Sequence, residues 1–189
     1  MRELLVELID RLDRGPIALA RVVATSGATP RIVGSAMAVT DAGDVLGSLS
    51  GGCVESAVVE SAAQVIATGA ACSERFASDP GEFGVGLVCG GEIEVFIERI
   101  DHTHRDTLRR CLEHITARRS VGLATSLGDH PRWEVVTDNH SAPGSFVGEH
   151  LLDRDAGALL AAGRSGIVGT DDSEEPASEQ RRMRTFVQA

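Results

Sequence analysis

The chain reads as an α+β protein, or an irregular α/β sandwich, with a mixed sheet packed with helices in a single domain. Three observations predict this. Apolar residues recur at helical spacing in some segments and fill strand-length runs in others. Strands occur in runs as well as alternating with helices, which disfavours a doubly wound sheet. At 189 residues the chain is long enough for one sizeable core and short for two full domains. A composition that is 42% hydrophobic and 24% charged is globular, and no apolar run approaches the length that spans a bilayer.

Leu4, Leu5, Ile9 and Leu12 recur at helical spacing in residues 1–14, interleaved with Glu3, Glu7, Asp10 and Asp13. This is an amphipathic helix ending near Gly15-Pro16 and not a signal peptide, so the expected location is the cytoplasm. Ile17, Leu19, Arg21 and Val23 alternate with Ala18, Ala20, Val22 and Ala24 in a nearly continuous apolar run, the pattern of a strand buried on both faces. Residues 25–30 are a loop by composition. Residues 36–40, a turn at 41–44 and residues 45–49 form a hairpin whose second strand delivers the chain to a glycine pair. From Cys53 onward Val54, Ala57, Val58, Ser61, Ala62 and Val65 line one helical face, and Gly69 stops that helix.

A short strand follows at 71–77, then a polar loop over 78–86 leading to Leu87-Val88-Cys89, then a strand at 93–97. Beyond it the pattern gives a helix at 104–118, strands at 121–126 and 132–137, a helix at 148–162 and a strand at 165–168. Residues 171–179 form an acidic loop, and residues 183–188 one last strand.

The segment Ser48-Leu49-Ser50-Gly51-Gly52-Cys53-Val54-Glu55 sets a thiol at the start of a helix. Unpaired N–H groups and the positive end of the helix dipole favour an anion there, a thiolate or a phosphate. Glu55 in the first turn suits the same dipole. Cys89 repeats the theme beside Gly90 and Gly91, where missing side chains allow close approach of backbone or ligand. Ordinary turns and buried thiols produce such patterns too, so both readings stand at this point. Cys72 and Cys111 sit inside regular patterns, as core or surface residues.

Four cysteines at irregular spacing, without a secretory signal, are expected to be reduced. The net charge of −10 argues against nucleic acid. All eighteen basic residues are arginine, which excludes a Schiff-base or P-loop lysine in this chain. His102, His104 and His114 lack the spacing and the cysteine pair of a zinc site.

Taken together, Thr29-Pro30-Arg31, Gly34-Ser35-Ala36-Met37, Gly47-Ser48, Ser50-Gly51-Gly52-Cys53-Val54-Glu55 and Cys89-Gly90-Gly91 with Ile93-Glu94-Val95 resemble the N-terminal domain of the XdhC/CoxI family. Members are accessory proteins of molybdenum hydroxylases such as xanthine dehydrogenase and carbon monoxide dehydrogenase. The resemblance covers residues 16–98 well and continues more loosely to Val187. It implies an XdhC/CoxI-like domain over 1–169, followed over 170–189 by the acidic loop and C-terminal strand. Full-length relatives continue from about there into a Rossmann dinucleotide-binding domain.

The resemblance further implies a non-enzymatic chaperone that binds the molybdenum cofactor (molybdopterin) transiently, supports its sulfuration by a partner sulfurtransferase, and inserts it into a hydroxylase apoenzyme. Carried over residue by residue, Cys53 is the metal contact. Gly51, Gly52, Glu55, Cys89, Gly90 and Gly91 join it in the cofactor site. Arg31 is a phosphate partner, its fork matching phosphate oxygens, or else a solvated loop residue. Two alternatives stay open: a cysteine-dependent sulfur-transfer enzyme using Cys53, and a structural subunit that pairs with a separate dinucleotide-binding chain. A homodimer or a complex with a partner chain is expected, with no nucleic acid and no membrane.

Overall fold

The computed structural model describes residues 2–77, 87, 90–137, 153–169 and 184–189. These group into two compact units, Met1–Arg105 and Asp106–Ala189. The α+β class holds. Where a mixed sheet was expected, every described strand pairing is antiparallel, in one five-stranded and one four-stranded sheet. Among the described residues no helix is long and apolar enough to cross a membrane.

The first unit opens with helix α1 (Arg2–Arg11), then strands β1 (Ile17–Ser26), β2 (Ala36–Thr40) and β3 (Val45–Gly47). Helix α2 (Glu55–Thr68) and strands β4 (Cys72–Ala77) and β5 (Glu92–Ile100) complete it. The strand order is β3-β2-β1-β5-β4, so β1 is central. It pairs Ala20 with Met37 of β2 on one side and with Ile97 of β5 on the other.

The first seven residues of β1 are all buried, as a strand covered on both faces must be. On one face Ala18, Ala20 and Val22 join Met37, Val39, Ile93, Val95 and Ile97 in an apolar cluster with Val58, Ala62 and Val65 of α2. The small β1 side chains leave room for α2, which packs across β1, β2 and β5. The opposite face carries Ile17, Leu19 and Arg21, and Arg21 meets Glu98 of β5 in a fully buried ion pair. Gly69 stops α2 as expected. Its left-handed backbone, φ 77°, lets its N–H bond the Val65 carbonyl at 2.9 Å.

A 3-10 turn at His102–His104 leads into helix α3 (Arg105–Thr116). The Asp101 carboxylate accepts from the Thr103 N–H at 3.0 Å, and His104 Nδ1 accepts from the Asp101 N–H at 3.2 Å. His104 is therefore a reciprocal cap. In the second unit β6 (Val121–Ser126), β7 (Trp133–Thr137), β8 (Gly166–Val168) and β9 (Thr185–Gln188) form a sheet in the order β7-β6-β9-β8. Helix α4 (Asp153–Ala161) packs on it through Ala156 and Leu160, against Ala124, Val136, Val168 and Val187. The expected acidic loop and the first part of the expected helix at 148–162 lie outside the described residues.

Candidate functional site

The hairpin strand expected over 45–49 ends at Gly47, and the helix expected from Cys53 begins at Glu55. Residues 48–54 between them form a loop, for a local reason. Gly51 and Gly52 have φ values of 89° and 124°, conformations that L side chains rarely adopt, and they turn the chain sharply before the helix.

The Glu55 side chain folds back into this turn. Its Oε1 accepts from the Ser48 hydroxyl at 2.8 Å and from the N–H groups of Leu49, Ser50 and Gly51 at 3.2, 2.9 and 3.0 Å. Its Oε2 accepts from the Ser50 hydroxyl at 2.5 Å and from the N–H groups of Gly52 and Val54 at 2.8 and 3.2 Å. The Ser50 hydroxyl oxygen also accepts from the Cys53 and Val54 N–H groups at 2.9 and 3.2 Å. Every backbone N–H from Leu49 to Val54 thus has a partner inside the loop.

The anion expected at this helix start is supplied by the chain itself. Burial alone would raise the Glu55 carboxyl. The bonds from the Ser50 hydroxyl and backbone and from the Ser48 hydroxyl outweigh it and hold the group well below the usual carboxylate range. Val54, at the N-cap position, offers no side-chain cap, and its own N–H is held by the Ser50 hydroxyl and Glu55 Oε2. Ser50 is buried and ties the turn together, a role that its place in the motif alone does not reveal. The signal lies in the combination: serines on both sides of a glycine pair, with a glutamate in the first helical turn.

Cys53 directly precedes the N-cap, half-buried, and leans on the apolar cluster under α2. Above Gly51 and Gly52 the space is open, since a Cβ at either would meet nothing within 4 Å. Cys72 is half-buried against the same cluster, and burial raises its thiol. Cys111 is buried, which pushes its thiol up to about 11.

Cys89 lies outside the described residues, so its approach to Cys53 is not described. Leu87, two residues earlier, is buried in the cluster that Cys53 leans on. Gly90 and Gly91 sit against the loop after β1. A Cβ on Gly91 would lie 2.2 Å from the Ala28 carbonyl oxygen and 2.8 Å from that of Ser26. The body that this glycine admits is the protein's own backbone. Arg31 is exposed, and among the described residues its guanidinium makes no hydrogen bond or ion pair. No group of three or more His, Cys, Asp or Glu among the described residues could hold a metal ion by itself.

Residues 11–77 match the XdhC and CoxI family, a span that contains the whole of the Ser48–Glu55 turn and ends before Cys89. A crystal structure described as a xanthine dehydrogenase from Bacillus halodurans is similar, with a TM-score of 0.59 and 25% sequence identity. The likeness covers 70% of this chain and 42% of that one, so this chain spans less than half the length of that protein. No curated protein matches the chain. Over residues 11–77, the stretch that carries the Glu55-bound turn and its thiol, the chain is similar to the XdhC and CoxI family.

Proposed function

We propose that the chain is an accessory factor in the maturation of a molybdenum hydroxylase of the xanthine dehydrogenase or carbon monoxide dehydrogenase type, with Cys53 as its contact to the molybdenum cofactor. The observation that carries this reading is the half-buried Cys53 thiol on a preformed turn with open space above its glycines, within the family-matched residues. A thiol in that position suits a soft metal or a sulfur-bearing ligand.

The fit is selective. A pterin phosphate finds no free N–H in residues 49–54, because Glu55 and Ser50 accept from all of them. Glu55 is thus part of the scaffold and not a cofactor contact. In this reading Arg31, exposed and available, holds the phosphate by its planar fork. Gly51, Gly52 and Gly90 leave open space about the turn and the Cys89 motif, and Gly91 leaves room for the loop after β1. When bound, the cofactor supplies the metal and dithiolene that the hydroxylase uses. The protein's part is to hold it and shield it while a sulfurtransferase and the apoenzyme engage in turn. A homodimer, or a complex with one of those partners, is the working state that light scattering would read.

The test is Cys53→Ser, which keeps size and hydrogen bonding but removes the soft sulfur. Wild type and mutant are purified from a cofactor-producing host, and molybdenum and pterin are quantified. The mutant is expected to fold normally and retain at least about tenfold less cofactor, a difference of ~1.4 kcal/mol. It should also fail to raise the activity of the partner hydroxylase. Full retention with full maturation would leave Cys53 a packing residue and sink the proposal. Full retention with lost turnover of a sulfur donor would replace it by a sulfur-transfer enzyme.

A further inference from the structure

Removing the Glu55 side chain would strip four donors from one oxygen and three from the other, all of them within seven residues of Glu55 along the chain. A carboxylate offers about four lone-pair sites on two oxygens, so this one is fully engaged. The turn is pinned at its two ends by Leu49 and Val54, both buried in the apolar cluster, and the Ser50 hydroxyl adds bonds to the Cys53 and Val54 N–H groups. Gly51 and Gly52 are exposed, and the places their side chains would occupy touch nothing. At the glycines between these ends, local bonds to a single anion rather than side-chain packing set the path of the chain into residue 53.

We propose that Glu55 is a positioning residue for Cys53: its carboxylate is the internal anion around which residues 48–54 wrap, and its removal leaves a nest of N–H donors that a small free carboxylate such as formate refills. Successive N–H groups in a turn make an anion-binding concavity, and the α2 dipole adds to it. Glutamine keeps the volume but places an NH2 against N–H donors that need an acceptor. Aspartate is one methylene short. The inference takes its interest in Cys53 from the reading above, but its test involves no cofactor, so the two can fail separately.

The test follows alkylation of Cys53 by a neutral maleimide at pH 7, resolved by peptide mass spectrometry, with the buried Cys111 as internal reference. In Glu55→Ala, Cys53 is expected to react at least about tenfold faster than in wild type, a factor equivalent to ~1.4 kcal/mol of lost ordering. Sodium formate should slow it back toward the wild-type rate, and sodium chloride at equal ionic strength should not. Rescue by a carboxylate alone is a response that loss of a merely structural side chain would not give. An unchanged Cys53 rate would overturn the proposal, and so would acceleration in a folded variant that formate leaves untouched.

If Glu55→Ala fails to fold, hydrogen exchange on the wild-type protein decides. The amides of Gly51 and Gly52, although exposed, should be protected at pH 7 and in Glu55→Gln should exchange at least about tenfold faster. Exchange at unprotected rates in wild type, or equal protection in Glu55→Gln, would refute it.

Discussion

Replacing Glu98 by glutamine should be the most damaging conservative change in the first unit. The Arg21 and Glu98 side chains are 0% and 1% exposed, on the face of β1 and β5 opposite α2. Burial pushes the Arg21 guanidinium down from its ordinary value, and the Glu98 charge opposes that shift. Glu98→Gln keeps the shape and removes the negative charge that faces the buried Arg21 guanidinium. Breaking a buried pair in this way costs ~3–5 kcal/mol. For a unit of Met1–Arg105 size, each kcal/mol moves the midpoint of melting by about 4–8 °C, so a fall of at least ~12 °C is expected. The paired change Arg21→Met with Glu98→Leu should recover most of this, because apolar residues of similar volume replace both charges at once. Urea unfolding reads both variants as shifts in midpoint at constant slope. A cost below ~1 kcal/mol for Glu98→Gln, or a double variant less stable than the single one, would refute the reasoning.

Gly91→Ala should destabilise by ~1–3 kcal/mol, because its Cβ would sit 2.2 Å from the Ala28 carbonyl oxygen and the loop after β1 would have to move. Urea unfolding measures this, and a neutral change would mean that the close approach is relaxed in solution. The low Glu55 pKa contributes stability that is fully present above the ordinary carboxyl value of 4.5 and is lost as pH falls through the depressed folded value. Wild-type stability should therefore fall more steeply below about pH 4.5 than that of Glu55→Gln, and parallel slopes in acid denaturation would contradict the assignment.

Much of the fold was legible because its elements carry strong periodic or punctuating signals. The alternation from Ile17 to Val23 marks β1, and Gly69 marks the end of α2 at the residue where its left-handed φ is found. Cys53 at a helix start was legible for the same reason. The fate of the loop's N–H groups was not, because it depends on a side-chain rotamer: Glu55 follows the loop in sequence, as the first residue of α2, and folds back into it. Arg21 was read as one residue of an apolar strand, and its partner Glu98 lies 77 positions away on a strand whose register no local pattern reveals. Gly91 was read as room for backbone or ligand, and only the packing of β1 against β5 identifies backbone as the occupant.

The glycines of the two pairs look alike on paper yet are constrained by different physics. At Gly51 and Gly52 an L side chain is opposed by handedness alone, since the surrounding space is empty. At Gly91 the handedness is ordinary and the volume is already occupied. A mirror-image residue such as D-alanine, introduced by chemical synthesis, favours the positive φ values that this first turn requires. Gly51 and Gly52, together with Gly90 at φ 81° in open space, are thus a requirement of handedness, whereas Gly91 is a requirement of size.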